Sequence, residues 1–322
     1  MRRPTELRRT SETPQHGSTE VLTPREHTPP KLSTMAKTNH VIGIIGGSGL
    51  YQMDGIAGLE EVVLSTPFGA PSDAFLRGRL GDTTVVFLPR HGRGHRISPS
   101  ELNFRANIWG LKKLGVTRIL SVSAVGSLRE EIAPGDFVIV DQFIDRTRHR
   151  VDTFFTGGVV AHVMFADPLC PDLRRLLLAA AQRLGVKVHD GGTYVNMEGP
   201  QFSTRAESHL YRSWGASVIG MTNLQEAKLA REAEICYATI AMATDYDCWH
   251  EGHDAVTVEQ VVKTMHDNVD HARSVLVDVV PRATAQPTCG CGSALAHAIM
   301  TDKKTISAEA RDRLGLLIGK YL

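Results

Sequence analysis

Two aspartates separated by one residue are the clearest sign of chemistry in this chain. Asp245 and Asp247 follow an apolar run, residues 235–242, that is typical of a buried strand. Ligands of open α/β sheets bind beyond the carboxyl ends of strands. Because side chains at i and i+2 of a strand point the same way, we expect both carboxylates to face one pocket. Such a pair of carboxylates suits a purine with an exocyclic amine. The alternative interpretation is that the two aspartates lie in a solvated turn after the strand and bind no ligand.

Groups that bind anions follow three other predicted strands. The first strand runs into Gly46-Gly47-Ser48-Gly49, where backbone amides can approach an anion and Ser48 adds a hydroxyl. The second ends at Arg90, whose guanidinium suits bidentate phosphate binding. The third ends in residues 121–127, which supply further hydroxyls and amides. The glycine turn alone is a weak signal, since it matches neither a P-loop nor G-x-G-x-x-G. If the strand ends converge, the three together predict a phosphate site.

Strands that alternate with helices must position these groups. Apolar runs predict strands over residues 40–46, 84–88, 118–122, 137–140, 217–219 and 235–242, and apolar stripes predict helices over 169–184 and from 258 to 276. Thr257 and Gln260 have capping-box spacing at the start of the second helix. The pattern predicts an α/β fold: a single domain over 37–322, with a mixed central sheet flanked by helices and a helical extension at about 285–322. Residues 1–36 lack a hydrophobic period and predict a disordered tail.

Composition excludes several classes of protein. A net charge of +1 argues against binding to nucleic acid or an anionic membrane through bulk electrostatics. The chain has no apolar run of about 20 residues, the length of a membrane span, and no apolar secretory signal. Five cysteines, an odd number mostly far apart in sequence, favour a reducing cytoplasm.

Five ordered motifs together resemble the S-methyl-5'-thioadenosine phosphorylases, within the purine nucleoside phosphorylase superfamily. They are GIIGGSGL at 43–50, the segment 90–107, GSLREEIAPGD at 126–136, EGPQFSTRAE at 198–207 and AMATDYDCW at 241–249. The resemblance spans about residues 38–281. It implies a nucleoside phosphorylase-like fold and cleavage of 5'-methylthioadenosine by inorganic phosphate, a reaction of purine and methionine salvage. The products would be adenine and 5-methylthioribose 1-phosphate, with phosphate as co-substrate and no cofactor.

The resemblance also implies roles for individual residues. It assigns phosphate binding to Ser48, Arg90, His91, Ser123, Ala124 and Thr222. It assigns the sugar to Met221, the base to Phe202, Asp245 and Asp247, and substrate choice to Ser203, Val258 and Val261. His162 corresponds to a histidine that reaches a neighbouring subunit's site, which implies a homotrimer or homohexamer. Many relatives carry threonine at positions 48 and 123, and several carry asparagine at position 220, where this chain has glycine.

The acid pair predicts how the glycosidic bond is broken. Adenine leaves with developing negative charge, and a protonated Asp245 near the purine N7 would neutralise it while Asp247 holds the exocyclic amine. Two adjacent carboxylates raise each other's proton affinity, which helps one stay protonated near neutral pH. Phosphate beneath the anomeric carbon would stabilise the cationic sugar.

Other interpretations remain open at the sequence level. One group of possible metal ligands lies close together in sequence: Asp245, Asp247, His250, Glu251, His253 and Asp254. Their spacing does not match His-Glu-x-x-His, so we predict no metal site. A metal-dependent hydrolase is the alternative function. Cys289 and Cys291 are interpreted as unpaired thiols, with a redox pair or disulfide as the alternative. Another purine nucleoside, such as methylthioinosine, inosine or adenosine, is the alternative substrate. Apolar Val258 and Val261 favour a methylthio group over a 5'-hydroxyl.

Overall fold

The computed structural model describes residues 41–51, 53–250 and 258–322. The predicted tail, Thr257 and the cluster residues Glu251, His253 and Asp254 lie outside these ranges. Side chains at Ser48, Tyr51, Val258–Val261 and Lys263 are also outside the description. None of the described helices is both long and apolar enough to cross a bilayer.

The strands of the described residues form one mixed sheet. They are β1 Val41–Gly46, β2 Ile56–Val62, β3 Phe75–Leu80, β4 Thr83–Pro89, β5 Val116–Ser127, β6 Phe137–Ile139, β7 Gln142–Arg146, β8 Val188–Asp190, β9 Thr193–Met197, β10 Val218–Gly220 and β11 Cys236–Asp245. Their order is β2-β3-β4-β1-β5-β10-β9-β7, and β5 also pairs with β11, which continues through β6 to β8. The predicted α/β fold with a mixed sheet is confirmed.

Helices cover both faces of this sheet. They are α1 Phe104–Lys113, α2 Pro171–Arg183, α3 Arg205–Ser213, α4 Asn223–Glu232, α5 Val258–Arg282 and α6 Ala308–Ile318. One apolar layer contains Leu111, Leu229 and Leu314 from α1, α4 and α6, and the other contains Leu177 and Leu276 from α2 and α5. Successive β5 residues pack into opposite layers, as the period of two in a strand requires.

Sequence reasoning identified neither the helices α1, α3 and α4 nor the strands β2, β3, β7, β8 and β9. Strand β2 is exposed along most of its length, and β8 has three residues, so neither shows a clear apolar run. Helix α3 begins with a capping box between Thr204 and Glu207, a sequence signal that was available. The predicted helices correspond to α2 and α5, and Gly185 follows α2 with a φ of 70°.

Candidate active site

The carboxyl ends of four parallel strands meet at one edge of the sheet. Strand β1 pairs in parallel with β4 and β5, and β5 pairs in parallel with β11. The Arg90 amide donates to the Gly46 carbonyl at 2.9 Å, and the Arg90 Nη1 donates to the Val122 carbonyl at 2.9 Å. The strand ends that carry the predicted anion donors therefore do converge.

Arg90 is held in a buried polar network. Its Nε donates to Glu226 Oε1 at 2.5 Å, and its Nη2 donates to Glu226 Oε2 at 3.2 Å and to Ser121 Oγ at 2.7 Å. Tyr237 donates to the same carboxylate at 2.8 Å. Burial lowers the pKa of Arg90, but the charge of Glu226, the hydrogen bond to Glu226 and the nearby tyrosines together raise it above its ordinary value. With the Val122 contact, four of its five N–H donors bond to protein, so a bidentate phosphate contact requires displacement of one of these partners.

The surroundings of His91 favour a neutral imidazole. Its Nδ1 lies 2.8 Å from the Ile97 carbonyl, and its ring stacks on His95 with centroids 4.4 Å apart. Burial, together with the charge of Arg90, lowers the pKa of His91 to about 4. A carbonyl only accepts, so Nδ1 carries the proton and Nε2 is an acceptor. The acceptor suits the P–OH group of monohydrogen phosphate.

Ser123 and Thr222 approach each other around a tyrosine that sequence reasoning missed. Tyr194 is fully buried, and its hydroxyl makes no hydrogen bond of good geometry with any described residue. Burial raises the pKa of Tyr194, while nearby Ser123, Arg90 and the Thr222 backbone lower it. Gly220 packs directly on this ring, since a Cβ at position 220 would lie 1.9 Å from the hydroxyl oxygen. Ala124 follows Ser123 on β5, opposite Met242 of β11.

Asp245 and Asp247 lie close together. They are not brought together by the alternation of side chains along a strand, as the sequence analysis expected. Strand β11 ends at Asp245, and Asp247 has a left-handed φ of 52° in the turn beyond it. The turn folds back, so the Asp247 amide donates to Asp245 Oδ1 at 2.8 Å. Thr244 Oγ1 donates to Asp245 Oδ2 at 2.6 Å. The prediction that strand alternation pairs them is therefore wrong, since the strand has already ended.

Both carboxyl groups are biased toward the protonated form. Burial raises the pKa of Asp245 against the hydrogen bonds from Thr244 and Asp247. Burial also raises the pKa of Asp247, and the charge of Asp245 raises it further. Desolvation rather than mutual repulsion is the larger cause at both residues. A Cβ on Gly126 would lie 3.1 Å from Asp245 Oδ1 and 3.2 Å from Asp247 Cβ, so Gly126 leaves room for the pair.

The segment that carries the predicted base residue Phe202 contacts the turn that holds Asp247. The Ser203 carbonyl accepts from the Cys248 thiol at 3.3 Å, which joins the segment before α3 to the turn after β11. Phe202, beside it, is 52% exposed. Arg150, which sequence reasoning missed, donates to the Met221 carbonyl and to Glu198 Oε1, the latter at 3.0 Å. Arg150 thus fixes the backbone at Met221.

Comparisons with known proteins show the family to which this chain belongs. A family model described as the phosphorylase superfamily matches residues 41–281. The S-methyl-5'-thioadenosine phosphorylase of Geobacter sulfurreducens is 62% identical over 283 residues, which cover 88% of this chain and 99% of that protein. The protein of that name from Koribacter versatilis is 60% identical over 280 residues, with coverage of 87% and 96%.

Solved structures of this kind also superpose on the chain. A methylthioadenosine phosphorylase from an antarctic soil metagenomic library gives a TM-score of 0.83 at 50% identity and covers 87% of this chain and 99% of its own. The methylthioadenosine phosphorylase of Schistosoma mansoni in complex with adenine gives 0.74 at 36% identity, with coverage of 87% and 98%. The chain belongs to the S-methyl-5'-thioadenosine phosphorylase family.

Three predicted site residues have no described side chain. The backbone of Ser48 begins a short 3-10 turn after β1, and Val258 and Val261 lie in the first turn of α5. Their predicted roles in phosphate binding and substrate choice stay predictions. His162 is exposed, and its amide donates to the Ala298 carbonyl at 2.8 Å.

The histidine-rich segment after β11 does not assemble as a metal centre within the part that is described. His250 Nε2 lies 3.0 Å from Glu130 Oε1, and its ring stacks on Tyr246 at 4.6 Å. Among the described residues, Asp245, Asp247 and His250 do not form a group that shares one metal-sized space. The geometry therefore gives no support to the metal-dependent hydrolase alternative.

Proposed function

We propose that this protein cleaves S-methyl-5'-thioadenosine with inorganic phosphate to give adenine and 5-methylthioribose 1-phosphate. The observation that carries the proposal is the half-buried Asp245–Asp247 pair at the same sheet edge as Arg90, Ser123 and Thr222. A group that holds a proton beside a group that binds an anion is what phosphorolysis of a purine nucleoside requires. Relatives that are 62% and 60% identical carry the name of this activity.

Each half of the site has one task in this reaction. Burial raises the pKa of Asp245, which favours its role as the acid that donates to the ring nitrogen of the leaving adenine, and Asp247 accepts from the exocyclic amine. Phosphate sits against His91, Ser123, Ala124, Thr222 and the turn at Ser48, with one N–H of Arg90 directed at it. Phosphate held in this way supplies the nucleophile and stabilises the cationic sugar.

The substrate is tested by measuring release of the free base. Methylthioadenosine, methylthioinosine, inosine and adenosine are each supplied with and without inorganic phosphate. We expect phosphate-dependent release of adenine, fastest from methylthioadenosine. Release at the same rate without phosphate would mean hydrolysis and would overturn the proposal. Faster cleavage of a 6-oxopurine nucleoside would support the alternative substrates.

The acid is tested with Asp245→Asn. Loss of general-acid catalysis is expected to lower kcat/KM for methylthioadenosine by about 10²–10⁴-fold. The asparagine amide has two N–H donors where the protonated carboxyl has one, and the second can reach the carbonyl of a 6-oxopurine, so the ratio of methylthioinosine to methylthioadenosine turnover should rise. The matched control is Asp190→Asn, whose carboxylate is 62% exposed on β8 and should leave both rates unchanged. Unchanged kinetics and base preference in Asp245→Asn would refute the assignment.

A further inference from the structure

Four of the five cysteines meet at one point on the side of the fold away from the acid pair. Every sulfur of Cys170, Cys236, Cys289 and Cys291 lies within 4.8 Å of the other three. Cys289 Sγ is 3.6 Å from Cys170 Sγ and 3.5 Å from Cys236 Sγ. All four are free thiols; three are buried, and Cys289 is half-buried. We call these four residues the cysteine cluster.

The spacing of the sulfurs fits a tetrahedral metal centre. Zinc binds cysteine sulfur at about 2.3 Å, which places neighbouring sulfurs of a tetrahedron about 3.8 Å apart. The measured separations of 3.5 and 3.6 Å are close to that edge length. Four ligands fill the coordination sphere and leave no open position, as in structural rather than catalytic zinc sites.

The surroundings of the cluster favour negative charge. Cys170 is the N-cap of α2, so its sulfur lies at the helix terminus where the partial positive charge of the backbone amides favours an anion. Arg118 is paired in register with Cys236 on the adjacent strand and is only 3% exposed. Its guanidinium donates to the Ala285 carbonyl, and no carboxylate among the described residues pairs with it. A buried guanidinium without an acid partner is costly unless an anion lies nearby.

We propose that the cysteine cluster is a structural zinc site. Four thiols give up four protons and no electrons, so Zn²⁺ and four Cys form a centre of net charge −2 that Arg118 partly balances. The site ties together the start of α2, the start of β11 and the segment after α5. The cluster lies at Cys236, and Asp245 ends the same strand, about 30 Å away at 3.3 Å per residue. The metal therefore stabilises the fold and takes no part in the reaction.

This site was not predicted from the sequence because its four cysteines are far apart along the chain. Cys289 is 119 residues from Cys170 and 53 residues from Cys236. Only Cys289-x-Cys291 is local, and two ligands do not define a zinc motif. The prediction of no metal site rested on the spacing of the histidine-rich segment, and Cys289 and Cys291 were considered only as unpaired thiols, a redox pair or a disulfide.

The first test measures metal in the full chain as purified under reducing conditions. We expect about one zinc per chain by elemental analysis, in line with the high affinity of structural zinc sites. Growth with cobalt in place of zinc should give the visible absorption of tetrahedral cobalt thiolate. The four thiols should resist a thiol reagent until a chelator is added.

The second test compares cysteine variants. Cys289→Ser should lose most of the bound zinc, whereas Cys289→His, which keeps a zinc ligand, should retain it. The control is Cys248→Ser, because Cys248 is the fifth cysteine and lies outside the cluster. If Cys289→Ser does not fold, metal content and cobalt spectra of the unaltered chain still decide the question. A folded, metal-free chain with four reactive thiols, two disulfides found by mass spectrometry, or iron in place of zinc would overturn the proposal.

Discussion

At the scale of single residues, the predicted phosphate site contains polar side chains that are shielded from water. Tyr194 places a fully buried hydroxyl beside the Ser123 side chain and the Thr222 backbone, and Gly220 gives that hydroxyl space. His91 is neutral for the same reason, since desolvation disfavours its charged form. Phosphate, a strong acceptor that also carries a P–OH, would supply partners to both side chains.

The contact between Gly220 and Tyr194 predicts a coupled pair of substitutions. In Gly220→Ala the new Cβ would overlap the tyrosine oxygen and should destabilise the fold by about 1–3 kcal/mol. Tyr194→Leu removes the overlapping atoms, so the double variant should be more stable than the sum of the two single effects. Denaturant unfolding of the four proteins measures this coupling energy. Additive effects would mean that the two residues do not compete for one space.

The buried state of His91 predicts a pH dependence of stability. Its folded pKa of about 4 lies below the ordinary 6.5, so protonation favours the unfolded chain. Its contribution is complete above pH 6.5 and is lost as the pH falls toward 4, by on the order of 3 kcal/mol. Burial raises the pKa of Glu232 to about 7, which gives the opposite slope, so the comparison must be with His91→Gln.

The measurement is unfolding in phosphate-free buffer between pH 4.5 and 7. The difference in stability between His91→Gln and the unaltered chain should shift in favour of the variant as the pH falls. His209→Gln, at an exposed position on α3, is the control and should give a constant difference. A constant difference for His91→Gln as well would show that this imidazole titrates normally.

At the scale of elements, helix α4 is the support of the anion site. Its N-cap is Thr222, and its Glu226 holds Arg90 at the end of β4 and Ser121 on β5. The helix is buried along most of its length, so these contacts are shielded from water. One helix thus fixes groups from two strands and supplies a predicted phosphate ligand of its own.

The ion pair between α4 and β4 predicts a large effect of Glu226→Gln. The change leaves a buried guanidinium without its counter-charge, which typically costs about 3–5 kcal/mol. Inorganic phosphate should recover more stability in this variant than in the unaltered chain, since it supplies the missing charge. Thermal unfolding with and without phosphate measures both effects. Glu131→Gln breaks an exposed pair with Arg129 and should cost less than about 1 kcal/mol; equal costs would contradict the predicted role.

At the scale of the whole molecule, an apolar surface lies beside the predicted subunit contact. Met164 is 85% exposed, Met300 is 65% exposed, and Val160 is 48% exposed. The Met300 amide donates to the Val160 carbonyl at 2.9 Å, which holds these segments together around His162. Clustered exposed apolar side chains of this kind mark interaction surfaces. We infer that this surface packs against another copy of the chain and that His162 completes the neighbour's site.

Subunit mixing tests this inference. His162→Ala should keep the oligomer, seen by light scattering, and lose activity. When His162→Ala and Asp245→Asn chains are unfolded together and refolded, some hybrid sites combine an intact Asp245 with an intact His162 from the neighbour. Activity above that of either parent is therefore expected. A monomer in solution, or no recovery on mixing, would exclude a shared site.

Much of the reaction centre was predictable from sequence because it is built from local patterns. Apolar runs placed β1, β4, β5 and β11, and the polar groups that follow them lie at one sheet edge because parallel strands share an end. Residue type and sequence proximity alone predicted the acid pair and the preference for an aminopurine that we propose for it. Short or exposed strands such as β2 and β8 were missed because they bury no continuous apolar run.

Only the tertiary structure decided which distant groups meet. The Arg90–Glu226 pair joins residues 136 apart, and the cysteine cluster joins residues up to 119 apart in its measured contacts. Asp247 reaches Asp245 through a left-handed turn that no periodicity encodes. The physical reason is that side-chain pattern fixes local backbone and burial, whereas the partner of a buried charge or thiol depends on how the finished elements pack.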